Sequence, residues 1–220
     1  GVAWIRVLYA YPERITPELL DVMAETDNVL NYLDIPLQHI DDDILKSMGR
    51  PCSQASIYNL LERIENAGDF TLRTTFIAGY PGETKEQHEN LLRFVGEGHF
   101  DRMGAFAYSQ EEDTRAARME GQLDEEEKNA RQSALMRVQR GISFRKNREK
   151  VGRTEKVLIE EYNQPEGIYI GRSVADAPVT DGVVYVSGCE KEQVGDIVDC
   201  RITKATDYDL IGECVHDTSK

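Results

Sequence analysis

The chain has 220 residues, of which 40% are hydrophobic and 30% are charged, and its formal net charge is −14 at pH 7. This composition predicts a soluble globular protein of one large or two modest domains, with no apolar run that could span a membrane and no secretory signal. The acidic balance disfavours free binding to nucleic-acid backbones and favours a basic protein partner.

The first third of the chain predicts strands that alternate with helices. Trp4–Tyr9 and Tyr32–Leu37 are apolar runs of the kind found in buried strands. Three helices are expected to begin after residues that commonly cap helices, because short polar side chains accept hydrogen bonds from the first free amides of a helix. These caps are Thr16, Asp41 and either Ser53 or Ser56.

The most informative stretch is Thr71–Thr84, where a strand, a tight turn and a helix start follow one another. Residues 71–78 are rich in β-branched and aromatic side chains, which predicts a strand. The strand breaks at residues 79–82, where glycine permits unusual backbone angles and proline fixes one. Thr84 and Gln87 form a capping box, so a helix follows. Geometry alone favours an ordinary βα turn, although α/β proteins also place ligands at such turns.

The pattern of the chain changes near Val151. Before it, Arg102–Ser109 predicts a fourth strand, and Asp124 begins a long helix whose basic end we interpret as a solvated face that matches the helix dipole. Strands separated by helices indicate parallel βαβ units. After it come five short β runs with Gly and Asp between them, which predict a small OB-like barrel. The predicted domains are therefore an α/β domain over residues 1–150 and an all-β domain over residues 151–220.

Polar residues follow three of the predicted strands, where parallel strands share one edge. Gln38 and His39 follow the second strand, the turn Gly79–Glu83 follows the third, and Tyr108 and Ser109 end the fourth. Their convergence predicts one small-molecule pocket. The Gln38 amide suits a ribose or an amino-acid group, and the amides of the turn suit an adenine edge or a carboxylate. We interpret His39 as a structural hydrogen-bonding residue, and helix capping alone would explain Glu83.

Four cysteines are present, and their spacing fits no zinc ribbon, redox pair or three-cysteine iron–sulfur loop. The sequence therefore predicts no metal site and four reduced thiols in a cytoplasmic protein. Cys200 and Cys214 lie in apolar strand patterns and are predicted to be core residues; the other two are Cys52 and Cys189.

Four blocks of the sequence resemble the radical S-adenosylmethionine methylthiotransferases: YLDIPLQHIDDDILKSMGR (Tyr32–Arg50), RTTFIAGYPGET (Arg73–Thr84), FDRMGAFAYSQEEDTRAA (Phe100–Ala117) and GRSVADAPVTDGVVYV (Gly171–Val186). The last two are similar to the RimO branch, which modifies an aspartate of small-subunit ribosomal protein twelve. The nearest alternative is the MiaB branch, which modifies adenosine in tRNA. The resemblance extends over essentially the whole chain.

The resemblance implies the later part of a partial (β/α) radical-SAM barrel with a trailing long helix, followed by an OB-like TRAM β-barrel. It implies S-adenosyl-L-methionine and two iron–sulfur clusters as cofactors of the full-length parent, with all cluster ligands upstream of Gly1. The chain is therefore expected to be a C-terminal fragment that is inactive alone. The cofactor-binding residues implied are Gln38, Gly79, Tyr80, Pro81, Gly82, Glu83, Tyr108 and Ser109; no catalytic residue is implied.

Three functions remain open at this stage: the protein-modifying enzyme, the tRNA-modifying enzyme, and a non-catalytic substrate-binding module. Residues 151–220 contain 7 Lys/Arg against 14 Asp/Glu, whereas a barrel that binds RNA is expected to be basic. A basic ribosomal protein is therefore the expected substrate, tRNA is less favoured, and a reductant protein is expected for the parent. The acids that support this expectation are Asp176, Asp181, Glu190, Glu192, Asp196 and Asp199.

Overall fold

A computed structural model describes residues 1–216 of the protein, which form two compact units. The first unit is Gly1–Gln139, and the second begins at Arg140. Among the residues described, no helix is long and apolar enough to cross a membrane. The long helix is continuous across Arg140, so the division near residue 150 remains a prediction.

The first unit contains a four-stranded parallel sheet, as the βαβ pattern predicts, and its strand order is β1-β2-β3-β4. Because each strand is followed by helix before the next strand begins, consecutive strands can run in the same direction. The strands are β1 (Ile5–Val7), β2 (Val29–Asp34), β3 (Thr71–Ala78) and β4 (Arg102–Ala107). The helices are α1 (Pro17–Glu25), α2 (Asp42–Ser47), α3 (Gln54–Ala67), α4 (Lys85–Gly96) and α5 (Glu125–Arg148), of which α5 only begins in this unit.

The helices of this unit begin where the sequence places polar caps. The Thr16 hydroxyl accepts a hydrogen bond from the Leu19 amide (3.3 Å), and Asp41 accepts from two amides of α2. Ser53, rather than Ser56, is the N-cap of α3, and the two serines form a reciprocal capping box. These bonds satisfy amides that have no partner within the helix.

Two strands differ in their ends from the sequence expectation, and both differences affect the candidate site. Strand β2 runs over Val29–Asp34 instead of Tyr32–Leu37, because Pro36 has no amide hydrogen to continue the ladder. Gln38 then rejoins β3, donating to the Thr75 carbonyl and accepting from the Ile77 amide, both at 2.9 Å. Strand β4 ends at Ala107, so residues 108 and 109 follow the strand rather than ending it.

The second unit contains a closed five-stranded barrel in the order β5-β6-β7-β9-β8, which confirms the predicted OB-like fold. Only β7 and β9 pair in parallel, and the other pairs are antiparallel. The strands are β5 (Thr154–Asn163), β6 (Ile168–Ser173), β7 (Val184–Ser187), β8 (Ile197–Ala205) and β9 (Leu210–Cys214). Alternate strand residues fill the barrel core: Val157, Ile159, Val184, Val186, Val198, Cys200, Ile202 and Leu210.

The prediction of four reduced thiols is wrong for two of the cysteines. Cys189 and Cys214 form a disulfide, with their Cα atoms 5.4 Å apart. Their separation of 25 residues conceals the pairing, which arises because the parallel strands β7 and β9 end side by side. Cys52 and Cys200 are free, and Cys200 lies in the core as predicted. Cys214 is only half-buried at the edge of that core.

Gly171 allows β5 and β6 to approach closely, because an added Cβ would overlap the Leu158 carbonyl oxygen. We expect Gly171→Ala to lower the free energy of unfolding by about 1–3 kcal/mol, the usual cost of overpacking. The matched control is Gly141→Ala, on an open face of α5, where alanine should stabilise by about 0.5–1 kcal/mol. Urea denaturation followed by circular dichroism measures both changes. Equal effects of the two substitutions would contradict this account of Gly171.

Candidate functional site

A cavity of about 370 Å³ opens at the carboxyl ends of β3 and β4. Ile77 of β3 and Phe106 of β4 contribute to its wall. Three residues that the sequence places at this edge also line it: Gln38, Tyr108 and Ser109. The cavity is in the size range of small-molecule sites, and it is the position where open α/β sheets bind ligands.

Tyr108, in the cavity wall, has a buried hydroxyl group without a hydrogen-bond partner among the residues described. Its ring packs edge-on against Tyr80, with centroids 5.6 Å apart, and the Lys128 ammonium lies 5.7 Å from the ring centroid. An unpaired buried hydroxyl costs about 1–3 kcal/mol, so a ligand that supplied a partner would recover part of that cost.

Gln38 and Ser109 present their polar groups differently. Gln38 has a φ of +73°, a conformation that side chains rarely adopt, and its two backbone hydrogen bonds to β3 hold it there. Its half-buried side chain lines the cavity. Ser109 is exposed, and its hydroxyl donates to the Glu111 carboxylate at 2.8 Å.

The turn Gly79–Glu83 lies beside the cavity wall but contributes none of its lining residues. The Tyr80 hydroxyl donates to the Ser47 carbonyl at 3.2 Å, and the Gly82 amide donates to the Gly121 carbonyl at 2.9 Å. Gly79 has a φ of +74°, and an added Cβ would overlap the Lys128 side chain. Pro81 is buried within the turn. The turn therefore contacts other segments of the chain rather than the cavity.

The Glu83 carboxylate is buried and joins three separate segments of the chain. Its Oε1 atom lies 3.2 Å from His39 Nε2 and 3.6 Å from His88 Nδ1. Its Oε2 atom lies 3.2 Å from Arg131 Nη1 and accepts a hydrogen bond from the Gly79 amide. Arg131 also donates to the Glu83 carbonyl at 2.8 Å. Glu83 therefore does more than cap a helix.

His39 makes the structural hydrogen bonds that the sequence predicts for it. The Asp41 amide donates to its Nδ1 atom at 3.0 Å, so Nδ1 acts as an acceptor. The ring hydrogen of neutral His39 is consequently on Nε2, which donates to Glu83. This orientation leaves neither ring nitrogen for a ligand.

The environment of Glu83 lowers the pKa of its carboxyl group from 4.5 to about 2. Burial alone would raise the pKa, because it disfavours the charged form. The hydrogen bonds from His39 and from the Gly79 amide, together with the nearby His88 ring, outweigh burial. Glu83 is therefore an anion throughout the neutral range.

Sequence reasoning missed His88, Lys128 and Arg131. His88 is on α4, while Lys128 and Arg131 are on α5, more than forty residues beyond Glu83. Arg131 Nε also pairs with Glu127 at 2.7 Å. A basic residue one helical turn after an acid is common on exposed helices, so the sequence contains no signal that Arg131 is buried.

Comparison with known proteins identifies both parts of the chain. Residues 3–95 match the radical SAM superfamily, and residues 151–215 match the TRAM domain. The chain is 46% identical to the "ribosomal protein uS12 methylthiotransferase RimO" of Syntrophotalea carbinolica, over 99% of this chain and 48% of that protein. It is 44% identical to the protein of the same name in Clostridioides difficile, over 99% and 49%. The chain thus spans about half the length of these curated relatives.

A solved structure shows the same fold. Coproporphyrinogen III oxidase (HemN) of Escherichia coli, a radical SAM enzyme, superposes with a TM-score of 0.50 at 18% identity. The superposition covers 72% of this chain and 34% of that enzyme. It confirms the radical SAM type of fold for the α/β part.

The buried charge of Glu83 should make stability depend on pH. Its pKa is lower in the folded than in the unfolded state, so the unfolded chain takes up the proton first and stability falls as the pH drops from about 4.5 to about 2. The expected loss is about 3 kcal/mol. Glu83→Gln should be less stable at pH 7 and should lose less stability across that window, as measured by urea denaturation at several pH values.

The matched control is Glu89→Gln, which changes an exposed carboxylate on the same helix α4. Its stability should follow that of the unsubstituted protein at every pH. If Glu83→Gln also followed it, Glu83 would not be the source of the pH dependence.

Proposed function

The chain belongs to the radical S-adenosylmethionine methylthiotransferases, and we propose that it is part of an enzyme that adds a methylthio group to an aspartate of ribosomal protein uS12. The observation that carries the proposal is the 46% identity to a protein of that name over 99% of this chain. The cavity at the carboxyl edge of the sheet adds a site of suitable size and position.

The residues around the cavity fit S-adenosyl-L-methionine. Ile77 and Phe106 offer an apolar wall for a flat base, while Gln38 and Ser109 offer polar groups for a ribose or an amino acid. The unpartnered Tyr108 hydroxyl has a hydrogen bond to give. When bound, the cofactor supplies the radical chemistry of this family, and the chain's own residues orient it and exclude water.

Within this proposal, the turn Gly79–Glu83 helps to shape the cofactor site by holding neighbouring residues in place. The contacts of Glu83 fix the turn that contains Tyr80, and the Tyr80 ring supports the Tyr108 ring. The backbone of Gly79, Tyr80, Pro81 and Gly82 remains a predicted part of the cofactor site. Its proposed contribution is to set the shape of the cavity edge.

The cysteines of this chain do not fit an iron–sulfur cluster. Such a cluster needs three or four cysteine thiolates close together. Cys52 is the one cysteine of residues 1–139, and the other three are in the barrel unit. We propose that residues 1–220 alone hold neither cluster of the family and therefore do not catalyse methylthiolation.

The charge of the barrel favours a basic protein over tRNA as its partner. Residues 151–220 have a net charge of −7. Some of the acids named from the sequence also have structural roles: Asp176 is buried and accepts from the Ser173 hydroxyl at 2.6 Å, and Asp199 pairs with Lys156 at 3.2 Å. Glu190 is exposed, and the net charge is unaffected by these pairings. A surface of this sign repels phosphates and attracts a basic protein.

The cofactor proposal predicts opposite effects of one substitution on stability and binding. Tyr108→Phe removes only a hydroxyl that has no partner, so the free protein should be unchanged or slightly more stable. Binding of S-adenosyl-L-methionine should weaken roughly fivefold, the equivalent of one hydrogen bond of about 1 kcal/mol. Equilibrium dialysis and urea denaturation measure the two effects.

Tyr9→Phe, which removes an exposed hydroxyl from a residue that does not line the cavity, is the matched control for Tyr108→Phe. It should leave both the stability and the binding of S-adenosyl-L-methionine unchanged. Unchanged affinity in Tyr108→Phe would remove Tyr108 from the cofactor site.

The substrate proposal predicts a choice between two partners. The 220-residue chain should bind uS12 at low salt, more weakly as salt rises because ions screen exposed charges, and should not bind tRNA under the same conditions. Glu161→Lys with Glu190→Lys, both exposed on the barrel unit, should weaken uS12 binding. Fluorescence anisotropy with labelled uS12 or tRNA measures each affinity.

The matched control is Glu62→Lys with Glu65→Lys, which makes the same change of charge on the exposed face of α3. It should weaken uS12 binding less than the barrel variant does. Tight binding of tRNA without binding of uS12 would favour the tRNA-modifying branch.

A further inference from the structure

A cluster of metal-ligating side chains lies at one end of the barrel, at the edge of its core. The cluster is centred on Cys189, Glu192 and Cys214, whose ligand atoms lie close together, and His216 lies beside Glu192. We propose that reduction of the Cys189–Cys214 disulfide creates a site for a divalent cation that prefers sulfur ligands, such as Zn²⁺. The proposal is independent of the function proposed above.

The barrel topology brings these four residues together. Strands β7 and β9 pair in parallel, with Ser187 opposite Glu213, so both strands end on the same side. Cys189 lies two residues beyond β7, and Cys214 is the last residue of β9. The two sulfur atoms and a Glu192 carboxylate oxygen all lie within 4.8 Å of one another. Such spacings suit ligands that share a tetrahedral ion.

Glu192 is held in place for this role. Its Oε2 atom accepts hydrogen bonds from the Glu190 and Lys191 amides, at 2.7 and 2.9 Å. The Tyr169 hydroxyl donates to the Glu192 carbonyl at 2.8 Å and anchors the loop. The Oε1 atom faces His216, with Nδ1 at 3.7 Å. One oxygen is thus fixed by the backbone, and the other faces His216.

His216 has the orientation of a metal-ligating imidazole. Its Nε2 atom lies 2.6 Å from the Gly188 carbonyl oxygen, which can only accept a hydrogen bond. Nε2 therefore donates, and in the neutral ring the lone pair is on Nδ1, the atom that faces Glu192. A ring hydrogen donated to a backbone carbonyl is the usual support of a histidine ligand, because it fixes the tautomer and the orientation of the ring.

The resulting ligand set is two thiolates, one imidazole nitrogen and one carboxylate oxygen. Zn²⁺ accepts all three ligand types in tetrahedral sites, and thiolates favour it over hard cations. Both cysteines and Glu192 are half-buried and His216 is exposed, so small reagents can reach the site.

The conversion between the two forms is balanced when a dithiol is the reductant. The dithiol transfers two electrons and two protons to the disulfide, the S–S bond breaks, and the dithiol becomes a disulfide. The two thiols formed then lose two protons as the metal ion binds both thiolates. In the reverse direction a small-molecule disulfide is the oxidant: it takes two electrons from the two thiolates and two protons from solvent, becomes a dithiol, and the ion is released as the protein disulfide forms.

The test uses the complete chain, reduced with a phosphine and freed of metal under anaerobic conditions, with Co²⁺ as the spectroscopic probe. We expect one Co²⁺ per chain, with the thiolate charge-transfer absorption and strong visible bands of a tetrahedral site, and displacement by Zn²⁺. Cys189→Ser and Cys214→Ser should abolish these bands. His216→Ala, beyond the last strand, should weaken Co²⁺ binding by at least about tenfold. Removing a residue that only supports a metal ligand already costs about that much affinity.

Cys52→Ser is the matched control, because it removes a free cysteine of the other unit and should leave the bands unchanged. Alkylation of the reduced chain gives a second measurement, in which Zn²⁺ should protect Cys189 and Cys214 but not Cys52. Circular dichroism verifies that each variant is folded. If a parallel sample can be alkylated at 189 and 214, which shows that both thiols are reduced, and the unalkylated chain still binds no Co²⁺, the proposal is overturned. Loss of binding in Cys52→Ser would overturn it as well and leave a structural disulfide.

Discussion

Burial of the Glu83 carboxylate is the constraint on which the α/β unit depends. A buried charge without partners is severely destabilising, so the chain must bring compensating groups to this point. It does so with His39 after β2, the Gly79 amide after β3, His88 on α4 and Arg131 on α5. One carboxylate thereby holds together segments that are distant in sequence, and the turn between β3 and α4 acquires a fixed shape.

The Glu83 network and the cavity use different residues. None of the side chains that contact Glu83 lines the cavity, whose wall is mostly apolar with a few polar side chains. Tyr80 connects the two regions, because its hydroxyl is bonded to Ser47 while its ring supports Tyr108. A protein can tolerate an unpartnered hydroxyl such as that of Tyr108 when a ligand uses it, and such strain is common at functional sites.

In the barrel, closure has an effect beyond the core. Joining β7 to β9 in parallel completes the sheet and also places the residues after both strands at one end. Two cysteines, a carboxylate and an imidazole meet there through loops whose sequence has no metal-binding spacing. The chemistry of this end is therefore a consequence of strand order.

The sequence by itself determined which segments form strands and helices, the parallel βαβ pattern, the OB-like barrel and most of the helix caps, because periodicity, glycine turns and N-caps act over a few residues. It also placed Gln38, Tyr108 and Ser109 on one edge. Only the tertiary structure decided that Arg131 is buried against Glu83 and that Cys189 meets Cys214. These outcomes depend on contacts between segments 25 or more residues apart, and no local pattern encodes them.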